Sequence, residues 1–207
     1  MEISPVTILV LQTINVQRNH FYVMRYNQVF SMNSFSEQDT ILKINLDPLT
    51  VFRGQSKGFQ NDPPARLHPN IMFGAGVMLT DGFIQKHKIT HIINCAFPQD
   101  CPEWVQKNFE DKYVCLQAID SLEADITKWY PMFAFFMDQF LKDNKCEMIY
   151  VHCQAGINRS GFLTLLYCCD KFEYAFIPTC KSIVKQRPCA LRNYVFFQQV
   201  RKYILKT

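Results

Sequence analysis

The spacing of apolar residues changes repeatedly along the chain, and each change marks a predicted element. "EMIYVH", ending at His152, is apolar and β-branched and reads as a buried strand. "GFLTLLYCCDKF", close behind it, keeps an apolar majority over a helical length. Upstream, "NIMFG" and "THIINCAF" read as strands, with "LTDGFIQKHK" a helix between them that Thr80 opens. "KYVCLQAI" is a further strand candidate. In "TKWYPMFAFFMDQFLKDN", Trp129, Phe133, Phe136, Met137, Phe140 and Leu141 recur at helical spacing and Pro131 suits the opening turn, so the aromatic stripe reads as core. "IPTCKSIVKQ" and "RNYVFFQQVRKYILK" read as two closing helices. Residues 1–65 are less regular: "VTILVL", "HFYVMRYNQVF" and "TILKINLDPLTVF" are strand candidates, broken by "NSFSEQD" and "GQSKGFQNDPPA". Strands alternating with helices predict an α/β fold, a central and mostly parallel sheet flanked by helices, with its site at the strands' carboxyl ends.

Composition narrows the class. The 207 residues are 48% hydrophobic and 19% charged, values of a globular chain able to bury a full core. "VTILVL" is too short to span a bilayer and lacks a basic flank, so the expectation is a soluble protein of the cytoplasm or nucleus, without membrane contact. Nine cysteines, an odd number without a Cys-x-x-Cys pair, argue against a disulfide framework or a zinc site. Adjacent Cys168 and Cys169 read as core. Net charge is +4, yet from Tyr174 onward there is no Asp or Glu, while Lys181, Lys185, Arg187, Arg192, Arg201, Lys202 and Lys206 are basic. That run reads as a solvated helical face, which would also draw anions toward the molecule.

Chemistry concentrates in "YVHCQAGINRSGF", Tyr150 to Phe162. A strand, a glycine-bearing turn and a helix start form an anion cradle, because the turn's N–H groups point inward and the helix N-terminus is partially positive. A free thiol titrates near ~8.5, and such surroundings lower that value. Cys153 is therefore expected to act as a thiolate nucleophile. Arg159 would grip two oxygens of a phosphoryl group, joined by the N–H groups of Gln154, Ala155, Gly156, Ile157 and Asn158. No metal or other cofactor is needed, since the arginine and the backbone dipoles already compensate the phosphate charge.

"HCQAGINRS" resembles the His-Cys-x5-Arg-Ser/Thr motif of the cysteine-dependent protein tyrosine phosphatase superfamily, and most of all its dual-specificity branch. The resemblance spans roughly residues 68–203. "IMFGAGVMLTDGFIQKHKITHIINCA" is similar to the family's opening strand, helix and strand, "IDSLEADITKWYPMFAFFMDQFL" to its acid loop and following helix, and "VKQRPCALRNYVFFQQV" to its closing stretch. It implies a phosphatase-type P-loop in a catalytic domain over 66–207, with 1–65 an extension that carries no motif. Asp120 matches the general acid, whereas nearby Asp125 reads as a helix cap. Ser160 matches the hydroxyl that helps the thiolate leave the phospho-enzyme. His152 and Asn193 match residues that support the loop, and Arg192 reads as either a brace or a surface charge.

The implied activity is hydrolysis of phosphomonoesters on protein Tyr, Ser or Thr through a phosphocysteine, with a phosphorylated protein as partner. Two rivals stay open. Asparagine before the arginine, as in "GINR", resembles the RNA 5′-triphosphatase branch, which would make an RNA 5′ end the partner. A phosphate-binding pseudophosphatase module is the other. The apolar amino-terminal stretches suggest either self-association as a homodimer or extra strands on the same chain. Cys95, which ends "THIINC", lies where some family members carry a cysteine that forms a disulfide with the nucleophile.

Overall fold

The computed structural model describes residues 48–206, together with the backbone of two short strands at 22–25 and 28–31. The chain divides into two compact units, Met1–Leu46 and Asp47–Thr207. In the first, β1 (Tyr22–Arg25) pairs antiparallel with β2 (Gln28–Ser31), so "HFYVMRYNQVF" contributes two strands where one was expected. "VTILVL" lies outside the described residues, and with it the expectation of self-association.

The second unit runs β3 (Ala65–His68), β4 (Ile71–Ala75), α1 (Asp81–His87), β5 (His91–Asn94), α2 (Glu103–Phe109), β6 (Tyr113–Cys115), α3 (Tyr130–Lys142), β7 (Ile149–Cys153), α4 (Arg159–Lys171), α5 (Phe176–Gln186) and α6 (Tyr194–Leu205). Its sheet has the order β3-β4-β7-β5-β6. Only the β3–β4 pairing is antiparallel; β4, β7, β5 and β6 are parallel. The chain thus leaves a slot between β4 and β5 that β7 fills later, so β7 ends at the centre of the sheet's carboxyl edge.

Alternation along the strands divides the core in two. Ile71, Phe73, Ile93, Ile149 and Val151 face a large cluster shared with α3, α4, α5 and α6. Met72, Ile92, Met148 and Tyr150 face a smaller one, closed by Phe83 and Ile84 of α1 and Val105 of α2. The aromatic stripe of α3 packs as expected: Phe133, Met137 and Phe140 are buried, with Trp129, Phe136 and Leu141 at the edge of the same cluster. α4 is buried from Arg159 through Cys169, which its apolar majority foreshadows. Thr80 caps α1, accepting the Phe83 N–H at 3.2 Å.

Two elements had no expectation behind them. β3 buries only Ala65, and α2 buries only Val105, so neither carries a period that stands out from loop. "KYVCLQAI" forms a strand only over Tyr113–Cys115. One residue of the basic run departs from the solvated-face reading: Arg187 is 0% exposed. No helix among the described residues is long and apolar enough to cross a membrane.

Candidate active site

The loop between β7 and α4 is built by directing its carbonyls outward. Gly76 N–H donates to the Gln154 carbonyl at 3.3 Å, and Leu191 N–H to the Ile157 carbonyl at 2.7 Å. Between them, Arg187 donates from Nη2 to the Ala155 carbonyl at 2.8 Å and from Nε to the Gly156 carbonyl at 2.7 Å. A trans peptide is planar, with C=O and N–H opposed. Four successive carbonyls held from behind therefore turn the N–H groups of Ala155, Gly156, Ile157 and Asn158 to the other side, the side of Cys153. Gly156 sustains the turn at φ +61°, and a Cβ there would stand 2.2 Å from the Gly74 carbonyl carbon of β4. No other residue type fits.

Cys153 ends β7 and is 1% exposed. Ser160, in the first turn of α4, donates from Oγ to its Sγ at 3.3 Å. Arg159 begins the same helix, 7% exposed. Its Nη1 donates to the Ala118 carbonyl at 3.2 Å, which holds the guanidinium across the loop's mouth. Its Nε is buried without a hydrogen bond and lies 3.7 Å from Asp120 Oδ2, so it is a donor available to an oxyanion.

Asp120, after β6, is drawn to the same place by amides. Asn158 Nδ2 donates to its two oxygens at 3.2 and 3.3 Å, and Asn193 Nδ2 to Oδ1 at 3.4 Å. Asn158 is itself fixed, its Oδ1 accepting the N–H groups of Arg192 and Asn193, both at 2.9 Å. Asn193 also caps α6 through Phe196 N–H. Asp125 plays the other part: its Oδ1 accepts from Thr127 N–H at 3.1 Å and caps the 3-10 turn Ile126–Trp129. His152 is fully buried against Tyr150, and burial pushes its pKa down to about 4, so the ring is neutral. It touches the loop only through a long 3.4 Å contact from Nδ1 to the Cys153 carbonyl. Among the described residues no three His, Cys, Asp or Glu side chains gather as a metal site.

A cleft of about 490 Å³ opens over these groups, lined by Phe97, Gln99, Asp100, Ile119, Asp120, Gln154 and Arg159. Phe97 and Ile119 give it apolar flanks, suited to an aromatic ring or a β-methyl group. The arrangement combines a thiol, an anion cradle and a carboxyl group, the three parts that cleavage of a phosphoester by a thiolate requires. Sequence reasoning missed two contributors. Arg187 stood hidden in the basic run, and Asn158 was read for its backbone rather than for its grip on Asp120.

Asn94 pairs with His152, and Cys95 and Cys153 are the residues that follow this pair on adjacent parallel strands; both face the same cluster. Neighbouring strands lie ~4.8 Å apart, inside the span a disulfide tolerates. Burial raises the Cys95 thiol well above its ordinary pKa, so it waits as a thiol. Peroxide should convert Cys153 to the sulfenic acid; the Cys95 sulfur then gives up its proton and attacks the Cys153 sulfur, whose hydroxyl leaves with that proton as water to form the disulfide. Peptide mapping after mild peroxide, with activity recovered by reductant, checks this. Sulfinic Cys153 beside free Cys95 would end the idea.

Residues 71–205 match the family described as "Dual specificity phosphatase, catalytic domain". Among curated proteins, the chain is 29% identical over 123 residues to dual specificity protein phosphatase 19 of Mus musculus, covering 58% of this chain and 52% of that protein. It is 27% identical over 141 residues to a probable dual specificity protein phosphatase of Dictyostelium discoideum, covering 68% and 34%. The chain thus spans about half the length, or less, of these curated relatives. Among solved structures, human DUSP28 superposes with TM-score 0.59 at 16% identity, over 70% of this chain and 94% of that one. The human tyrosine phosphatase-like serine/threonine/tyrosine-interacting protein does so with TM-score 0.56 at 23% identity, over 70% and 98%. Those two likenesses concern the fold.

Proposed function

The chain belongs to the dual specificity phosphatase catalytic-domain family, and from that premise we propose that it hydrolyses phosphomonoesters on protein tyrosine, serine and threonine through a phosphocysteine at Cys153. The observation that carries this reading is the convergence of a buried thiol, a cradle of N–H groups and an arginine Nε that makes no hydrogen bond, beneath one carboxyl group. In the first step Cys153 sulfur attacks phosphorus while the ester oxygen departs opposite and takes a proton from Asp120. In the second, water gives its proton to Asp120 and its oxygen to phosphorus. The sulfur leaves as a thiolate that the Ser160 hydroxyl stabilises. Arg159 and the N–H groups of Ala155 to Asn158 hold the three equatorial oxygens through both steps. His152 and Asn193 act on the loop and on the acid, without touching the phosphate.

The RNA 5′-triphosphatase reading rested on Asn158. Here that side chain has other work, since its amide holds Asp120 and its oxygen takes two backbone N–H groups. A holder for a proton donor favours monoesters, whose alkoxide leaving group needs the proton more than an anhydride's does. Turnover of a phosphotyrosine peptide, a phosphothreonine peptide and triphosphate-ended RNA by one preparation tests the assignment. The two peptides should react and the RNA should not; the reverse would overturn it.

Removing the acid separates substrates by leaving group. Asp120→Ala should slow a phosphothreonine peptide by roughly 10²- to 10⁴-fold, and an activated aryl phosphate far less, because the phenolate departs without a proton. Asp125→Ala should leave both rates within a few-fold. Steady-state kinetics on the two substrates decides. Equal losses on both would show that another group donates the proton.

A further inference from the structure

Arg187 is the largest side chain that the fold buries completely, and its charge meets no carboxylate among the described residues. Instead its donors reach five backbone carbonyls. Nη2 and Nε hold Ala155 and Gly156 of the loop. Nη1 donates to Asp62 at 2.6 Å and to Pro63 at 3.1 Å, and Nη2 also donates to Phe59 at 2.8 Å. One guanidinium thus bridges the phosphate loop and a turn that precedes β3. An arginine is suited to this. It keeps its proton, and its five N–H groups lie in one rigid plane, whereas a lysine offers three around a point.

The turn is anchored in its own right. The Asp62 carboxylate, 1% exposed, accepts from Ser56 Oγ at 2.7 Å, from Lys57 N–H at 2.6 Å and from Cys189 N–H at 2.9 Å. These contacts hold its pKa below the ordinary carboxylate value, against burial, which acts the other way. Arg53 donates to the carbonyls of Pro188, Ala190 and Leu191, and Leu191 in turn presents its N–H to Ile157 of the loop. Arg53 and residues 59–63 all lie ahead of the family match, which begins at residue 71.

We propose that Arg187, clamped by the Phe59–Pro63 turn, is a positioning residue that fixes the direction of the loop's N–H groups, and that this turn is part of the catalytic apparatus. The proposal rests on the phosphatase reading for its reaction, but its geometry stands apart from it. By holding the Ala155 and Gly156 carbonyls, the guanidinium directs the Gly156 and Ile157 N–H groups at the anion and polarises both peptide units in that sense. No residue of this clamp lines the cleft over Cys153, so its loss should weaken anion binding in a protein that is otherwise assembled.

The test uses the full chain, with Arg187→Met, Arg187→Lys and Asp62→Ala. Tungstate affinity is read by calorimetry, kcat and KM on an aryl phosphate, and the melting temperature alongside. Arg187→Met should bind tungstate at least tenfold more weakly and lose about 10²-fold in kcat/KM, the loss of well-aimed oxyanion donors. Arg187→Lys, which keeps the charge without the fork, should fall between it and wild type. Asp62→Ala should weaken tungstate several-fold, because the far side of the clamp loosens. Tungstate affinities within twofold of wild type in the folded variants, whatever their melting temperatures, would reduce Arg187 to a stability residue and overturn the proposal. If Arg187→Met does not fold, the other two variants carry the same decision. A wild type that binds tungstate but hydrolyses nothing would sink the phosphatase reading, and the affinities would still judge the clamp.

Discussion

Cys153→Ser should fold, bind tungstate and turn over no phosphomonoester, a loss of roughly 10⁴-fold or more. Serine fits the space of the thiol at the end of β7, where the side chain is 1% exposed, so neither sheet pairing nor the cradle is disturbed. The hydroxyl, however, holds its proton far more tightly than a thiol, and no base among the described residues is hydrogen-bonded to the Cys153 sulfur. The neighbouring Ser160 Oγ, 3.3 Å from the sulfur, is a donor in this contact, and the imidazole of His152 contacts the Cys153 carbonyl instead. Binding should survive because the oxygens are held by Arg159 and the N–H groups. Activity within tenfold of wild type would refute the covalent mechanism; lost turnover together with lost tungstate binding would point to a collapsed loop.

Arg159→Ala should lose roughly 10³- to 10⁵-fold in kcat/KM, the range seen when a transition-state arginine is removed. Arg159→Lys should recover little of it. The Nη1 contact to Ala118 fixes the fork and leaves Nε without a hydrogen bond, 3.7 Å from Asp120, and a lysine ammonium cannot make both placements from one point. The equatorial oxygens reach their flattened, trigonal arrangement only in the transition state, where a two-point grip fits them best, so kcat should fall more than KM rises. Kinetics on one aryl phosphate with all three proteins is sufficient. A lysine variant within tenfold of wild type would mean that charge alone, not two-point geometry, is what the site uses.

Legibility in the sequence followed how local the physics is. β4, β5 and β7 could be read because both of their faces are buried, so each is a short, mostly apolar run, and α4 because it is buried along most of its length. The loop could be read because its thiol, glycine and arginine are contiguous. Asp120 could be placed by its order after a strand, though its two amide partners come from Asn158 and Asn193, distant in the chain. Arg187 could not. Its partners are backbone carbonyls, which leave no trace in residue types, and its neighbours Lys181 and Lys185 suggest solvent. β3 and α2 failed for another reason: each buries a single residue, too little to imprint a period.

β7 is hydrogen-bonded on both sides, to β4 and to β5, and all five of its residues are buried. β6, by contrast, is a three-residue strand at the sheet's edge, and the stretch that follows leaves Ile119 51% and Leu122 67% exposed. Amide exchange on β7 therefore requires something close to global unfolding, while the segment bearing Asp120 can open for a small fraction of that free energy. On that expectation, nucleophile and proton donor would open as separate units. Warming or mild denaturant would then melt proton donation first and leave a molecule that still captures phosphate on a reactive sulfur, a binder before it is an unfolded chain.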